Sequence, residues 1–147
     1  MAEQVAEITA EPLDVAKELA AVADPECGGI GVFVGTVRAS AAIALNQEKV
    51  VTGLEYEAHP DLAPARLREL LDEASGKWDL RHARAKHRTG TCELGEPTVV
   101  VACSAAHRGD ALEACRWIID EIKATVPIWK REIYADGSDW VGTEADA

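Results

Sequence analysis

With 147 residues the chain is long enough to bury a core of its own and short enough for one domain over residues 1–147. Hydrophobic residues make up 48% and charged residues 28%, which excludes a disordered, collagen-like or disulfide-scaffold chain. A net charge of −11 excludes general binding to nucleic-acid phosphates but leaves room for a small anion in a local basic pocket.

The opening stretch MAEQVAEITAEPLDV carries acids where a secretory signal needs a basic start, and no apolar run approaches a membrane span. The expectation is a soluble, cytoplasmic protein with no membrane partner. The cysteines at 27, 92, 103 and 115 form no C-x-x-C pair and have no histidine at zinc-finger spacing. Cys103 and Cys115 fall within apolar patterns and read as small core residues, so no metal site is expected.

In chain order, Gln4 to Ala10 suits an opening strand, and Asp14 caps a helix to about Val22 on the spacing of Val15, Leu19 and Val22. Ile30 to Arg38 is rich in β-formers, with glycines where something approaches closely. Residues 39 to 48, ASAAIALNQE, break the pattern and suit either a short helix or a loop. Val50 to Ala58 reads as a strand with Leu54 and Tyr56 on one face and Glu55 and Glu57 on the other. Asp61 is positioned to cap a helix to about Trp78, striped by Leu67, Leu70, Leu71 and Ala74.

His82 to Thr89 suits a polar strand, Gly95-Glu96-Pro97 a turn, and Thr98 to Ala105 a buried central strand. Asp110 is positioned to cap a helix whose face is Leu112, Cys115, Ile118, Ile119, Ile122 and Val126, ended by Pro127. Ile128 to Tyr134 resumes as a strand, and Asp136-Gly137 turns toward Trp140 and Val141. The order β-α-β-β-α-β-β-α-β predicts an α+β fold with a mixed or antiparallel sheet and three main helices.

Cations concentrate at element ends: Arg38 after a strand, His107 and Arg108 before the last helix, Lys123 in that helix's final turn, and Lys130 and Arg131 in the strand beyond. One such residue is usually a solvated charge. Together, in an acidic chain, they predict an anion pocket, helped at 107–108 by a helix N-terminus. No Walker, G-x-S-x-G, H-E-x-x-H or dinucleotide motif is present, and the glycines at 29, 31 and 35 lie inside a strand pattern.

Four ordered blocks carry a family resemblance: FVGTVR at 33–38, LEYEA at 54–58, SAAHR at 104–108 and KATVPIWKRE at 123–132. They are similar to the large, catalytic subunits of molybdopterin synthase, and weaker similarity at 87–90 and 95–96 fills the gap. The resemblance implies an α/β-hammerhead-type fold and a sulfurtransferase of molybdenum cofactor biosynthesis. It also implies a homodimer formed through this subunit and, with a small ubiquitin-like partner, a heterotetramer. The partner's C-terminal Gly-Gly thiocarboxylate supplies sulfur to cyclic pyranopterin monophosphate, and two transfers make the dithiolene. No further cofactor is implied, and the sulfur arrives on the partner, so no reactive cysteine is needed.

By motif, the resemblance assigns catalysis to Lys123 and Lys130. It places Thr36, Val37, Arg38, His107, Arg108, Arg131 and Glu132 at the substrate. An amine among other cations gives up its proton more readily, and as ammonium it stabilises developing negative charge. Within that scheme Lys123 moves the proton at the pterin side chain and Lys130 serves the thiocarboxylate and the intermediate. Thr36 stands where some relatives have lysine, Ala39 to Leu45 is apolar where their loop is polar, and Ile128 replaces an aromatic. The altered loop and Thr36 motivate an alternative, a non-catalytic scaffold that holds the ubiquitin-like tail, whereas Ile128 is a packing change; an unrelated phosphate-binding α+β domain is a third reading.

Overall fold

A computed structural model describes residues 3–39, 50–135 and 137–143. The ambiguous stretch after Ala39 lies outside the described residues from position 40 on. Eleven elements follow in order: β1 (Glu3–Thr9), α1 (Val15–Val22), β2 (Gly29–Thr36), β3 (Val51–Ala58), α2 (Leu62–Lys77), β4 (Leu80–Arg88), β5 (Gly90–Glu93), β6 (Pro97–Ala105), α3 (Arg108–Thr125), β7 (Ile128–Tyr134) and β8 (Gly137–Thr143).

The strands form two four-stranded sheets rather than one. The first has the order β1-β4-β6-β2 and the second β5-β3-β7-β8. Among the described residues only β1–β4 is a parallel pair; the other pairings are antiparallel. The expected α+β class with three helices is what forms.

Helices cover the first sheet from both sides. Along β4, Ala83 and Ala85 are fully buried and join the core shared with α2 and α3, while the alternate Arg84 and Lys86 pair with Glu18 of α1. β6, covered on both faces, is buried along nearly its whole length, as its unbroken apolar run requires. The core continues through Val99 and Val101 into Leu54, Tyr56, Ile128 and Tyr134 of the second sheet.

Several local details differ from the sequence reading. Asp14 does cap α1, accepting from the Lys17 N–H at 3.1 Å. Asp61 makes no such bond before α2; instead the His59 Nδ1 accepts from the Asp61 and Leu62 N–H groups at 3.2 and 3.0 Å. α3 begins at Arg108 with His107 at its cap position, which places Asp110 inside the first turn, where a carboxylate suits the helix dipole. Leu112 is 56% exposed rather than buried, and Ala111 and Ala114 take the inward positions.

The reason is the glycine strand beneath. A Cβ at Gly31 would lie 2.3 Å from the Ala111 carbonyl oxygen, and one at Gly29 would lie 3.0 Å from the Arg108 Cα. Only a strand lacking those side chains lets α3 settle this close, and only alanine-sized residues fit between them. Two strands were missed. β5 has one β-former in four residues and β8 opens on Gly-Ser-Asp with a further glycine at 142, and both pair along β3 and β7.

Candidate functional site

A cavity of about 360 Å³ opens where the end of β2 and the start of β6 meet the inner faces of β3 and β7. Its apolar side is Phe33, Val34, Leu54 and Val99; its polar side is Thr36, Arg38, Tyr56, Thr98, Lys123, Lys130 and Glu132.

Each polar group arrives for a local reason. β7 alternates strictly: Ile128, Lys130, Glu132 and Tyr134 are buried, and Trp129, Arg131 and Ile133 point the other way. Tyr56 lies directly opposite Lys130 across the β3–β7 pair, and Leu54 opposite Glu132, so four residues of two strands share the cavity face. Lys123 comes from the last turn of α3, which Pro127 ends. On β2 the register with β6 shifts between Gly35 and Thr36, and Thr98 Oγ1 donates to the Gly35 carbonyl at 3.3 Å. Such an irregularity re-aims the strand end, and Arg38 follows two residues later at the cavity.

Burial makes these charges consequential. Lys130 is 5% exposed and Glu132 2%, whereas Lys123 is half-buried and Arg38 exposed. A buried ammonium or carboxylate is tolerated only with compensating polar contacts, and Glu132 has one: the Tyr134 hydroxyl donates to its Oε1 at 2.9 Å. A cavity with Arg38, Lys123 and Lys130 against one carboxylate attracts anions despite the acidic surface.

Of the nine residues expected at the site, Thr36, Arg38, Lys123, Lys130 and Glu132 line this cavity. Val37 does not; it is 3% exposed within the core. Arg131 is on the opposite face of β7, paired with Glu55 and stacked 5.1 Å from the Trp140 ring. His107 and Arg108 are exposed at the start of α3, the far end of the helix from Lys123. Tyr56 was missed as a cavity residue: its face could be read from alternation, but its partner across the sheet could not.

No group of three or more His, Cys, Asp or Glu among the described residues is arranged to hold a metal. Burial pushes the Cys103 thiol up to about 12 and the Cys115 thiol to about 11, which leaves both poor nucleophiles. No helix is long and apolar enough to cross a membrane among the described residues.

Residues 8–125 match the family described as MoaE protein. The chain is 46% identical over 128 residues to the molybdopterin synthase catalytic subunit of Oryza sativa subsp. indica, covering 87% of this chain and 64% of that one. It therefore spans less than two thirds of the rice protein's length. To the human protein of the same name it is 39% identical over 140 residues, covering 95% of this chain and 72% of the other. A crystal structure of molybdopterin synthase from Staphylococcus aureus superposes with a TM-score of 0.84 at 34% identity, covering 93% of this chain and 96% of that one.

Proposed function

The chain belongs to the MoaE protein family, and from that premise we propose that it is the catalytic subunit of a molybdopterin synthase. It transfers sulfur to cyclic pyranopterin monophosphate from the thiocarboxylated C-terminus of a small ubiquitin-like partner, in the cytoplasm. The observation that carries this reading is the meeting of Arg38, Lys123 and Lys130, from three separate elements, in one cavity. The substrate phosphate and the partner's thiocarboxylate are both anions, and convergent lysine and arginine side chains suit both.

In each transfer the thiocarboxylate sulfur forms a bond to a carbon of the pterin side chain as that carbon's bond to oxygen breaks, the oxygen leaving as water or staying on the opened phosphate monoester. Water then breaks the acyl–sulfur bond, returning the partner as a carboxylate and leaving the sulfur on the pterin. Lys123, half-buried at the cavity edge, moves the proton at the side chain. Lys130, buried on β7, holds the thiocarboxylate and stabilises charge in the intermediate. Arg38 binds phosphate, and Thr36 and Glu132 complete the contacts.

His107 and Arg108 join the site from a second copy of the chain. β2 is an edge strand with Ile30 and Val32 exposed; Gly29 at its start touches Arg108, and Arg38 follows its end at the cavity. A two-fold axis across the middle of β2 would set one copy's Arg108 near the other's Arg38, giving a homodimer with two sites and a heterotetramer with two partners.

The test is reconstitution: purified chain, thiocarboxylated partner and cyclic pyranopterin monophosphate yield the dithiolene product. Capture of the partner with no turnover would replace this reading with the scaffold.

A further inference from the structure

On the buried face of β7, Lys130, Glu132 and Tyr134 follow one another at two-residue steps of roughly 7 Å. The first two line the cavity; Tyr134 does not, lying one step beyond at 5% exposure. Its hydroxyl donates to Glu132 Oε1 at 2.9 Å in a buried setting. The terminal torsion of a glutamate is soft, so a carboxylate next to several cations has no intrinsic reason to keep one pose. A phenol fixed in the core supplies one, and the bond satisfies one of the carboxylate's oxygens from behind the cavity.

We infer that Tyr134 is a positioning residue for sulfur transfer: through its hydroxyl it holds the Glu132 carboxylate at the cavity wall beside Lys130. Glu132 in that pose balances the cavity's positive charge and orients the neighbouring ammonium for the intermediate. Tyr134 touches no substrate, so its contribution belongs to the chemical step and not to binding.

This rests on the sulfurtransferase reading, and its test separates the two. Tyr134→Phe keeps the ring and deletes the bond. Its kcat is expected to fall about tenfold with KM within about twofold of wild type. In a Glu132→Gln background the same substitution should cost less than about twofold, because the two act as one unit. Independent losses that multiply, or a Tyr134→Phe enzyme with wild-type kcat, would overturn the inference.

A crystal structure of Tyr134→Phe decides it without turnover. A Glu132 carboxylate swung off the cavity wall supports the inference, and an unmoved one overturns it. A wild-type chain that makes no product would instead remove the sulfurtransferase reading. Should Tyr134→Phe not fold, Glu132→Asp withdraws the carboxylate from the phenol and is expected to lower kcat by a similar factor; wild-type kcat in Glu132→Asp would count against the inference.

Discussion

His107 and Lys123 stand at opposite ends of α3, about 24 Å apart along the helix axis. Within one chain they cannot reach the same small substrate, although the sequence blocks that contain them point to one site. The proposed site, completed across a dimer, would reconcile the two. Chains carrying Arg108→Ala and chains carrying Lys123→Ala, each inactive alone, should regain about a quarter of wild-type activity when mixed and allowed to exchange. Half the dimers are then mixed, and each has one intact site. Activity that stays absent after exchange would remove His107 and Arg108 from the site.

Close approach of α3 to β2 makes Gly31 sensitive. Gly31→Ala would set a Cβ against the Ala111 carbonyl oxygen, a backbone atom with little freedom to move, and should destabilise the fold by about 1–3 kcal/mol. Gly76, near the end of α2, has nothing within 4 Å of an added Cβ; Gly76→Ala should stabilise by about 0.5–1 kcal/mol. Urea unfolding of the two variants checks both signs.

That glycine strand also explains what the sequence did and did not disclose. Alternation made the faces of β3 legible, because polar and apolar residues change places from Leu54 to Ala58, whereas Lys130, Arg131 and Glu132 run consecutively in β7 and Arg131 was grouped with its neighbours although it faces away. Helical periodicity alone put Leu112 in the core, since it marks large apolar residues, whereas a helix lying on glycines buries its alanines. β5 and β8 carry little local signal and pair along β3 and β7. Cations at element ends signalled an anion site, but position in sequence does not say which end of a helix faces which cavity. His107 and Lys123 were therefore read together, and the Tyr56–Lys130 pairing was not read at all.

Acid should loosen the fold at Glu18. The carboxylate is 2% exposed, with Arg84 Nε at 2.6 Å and Lys86 Nζ at 3.0 Å. Burial by itself raises its pKa, but the bonds from Arg84 and Lys86 outweigh that and hold it below its ordinary value of 4.5. A carboxyl depressed in the folded state stabilises the fold above its unfolded pKa, and the contribution disappears as pH falls through the folded value. The unfolding midpoint of wild type should therefore drop below about pH 4.5. Glu18→Gln should be less stable by about 3 kcal/mol at neutral pH, from taking the carboxylate away from Arg84 and leaving Lys86 only Glu7, and less sensitive to acid. Parallel pH dependences in the two proteins would contradict this assignment.

Thiol reactivity should be confined to Cys27. Cys92, Cys103 and Cys115 are buried, and burial pushes all three thiols up, while Cys27 is half-exposed. An aromatic disulfide reagent at pH 8 is expected to label one thiol per native chain, with the others reacting only on unfolding. Cys27→Ser should leave product formation unchanged, since in the proposed reaction the transferred sulfur arrives on the partner.

The most direct measurement is single-turnover conversion of cyclic pyranopterin monophosphate by the Lys123→Ala chain, loaded with thiocarboxylated partner and compared with wild type. On the proposed mechanism, removing the Lys123 amine should slow product formation by about 10³-fold while the partner stays bound and the fold intact. Conversion at the wild-type rate would show that the cationic cavity is not where the sulfur is transferred.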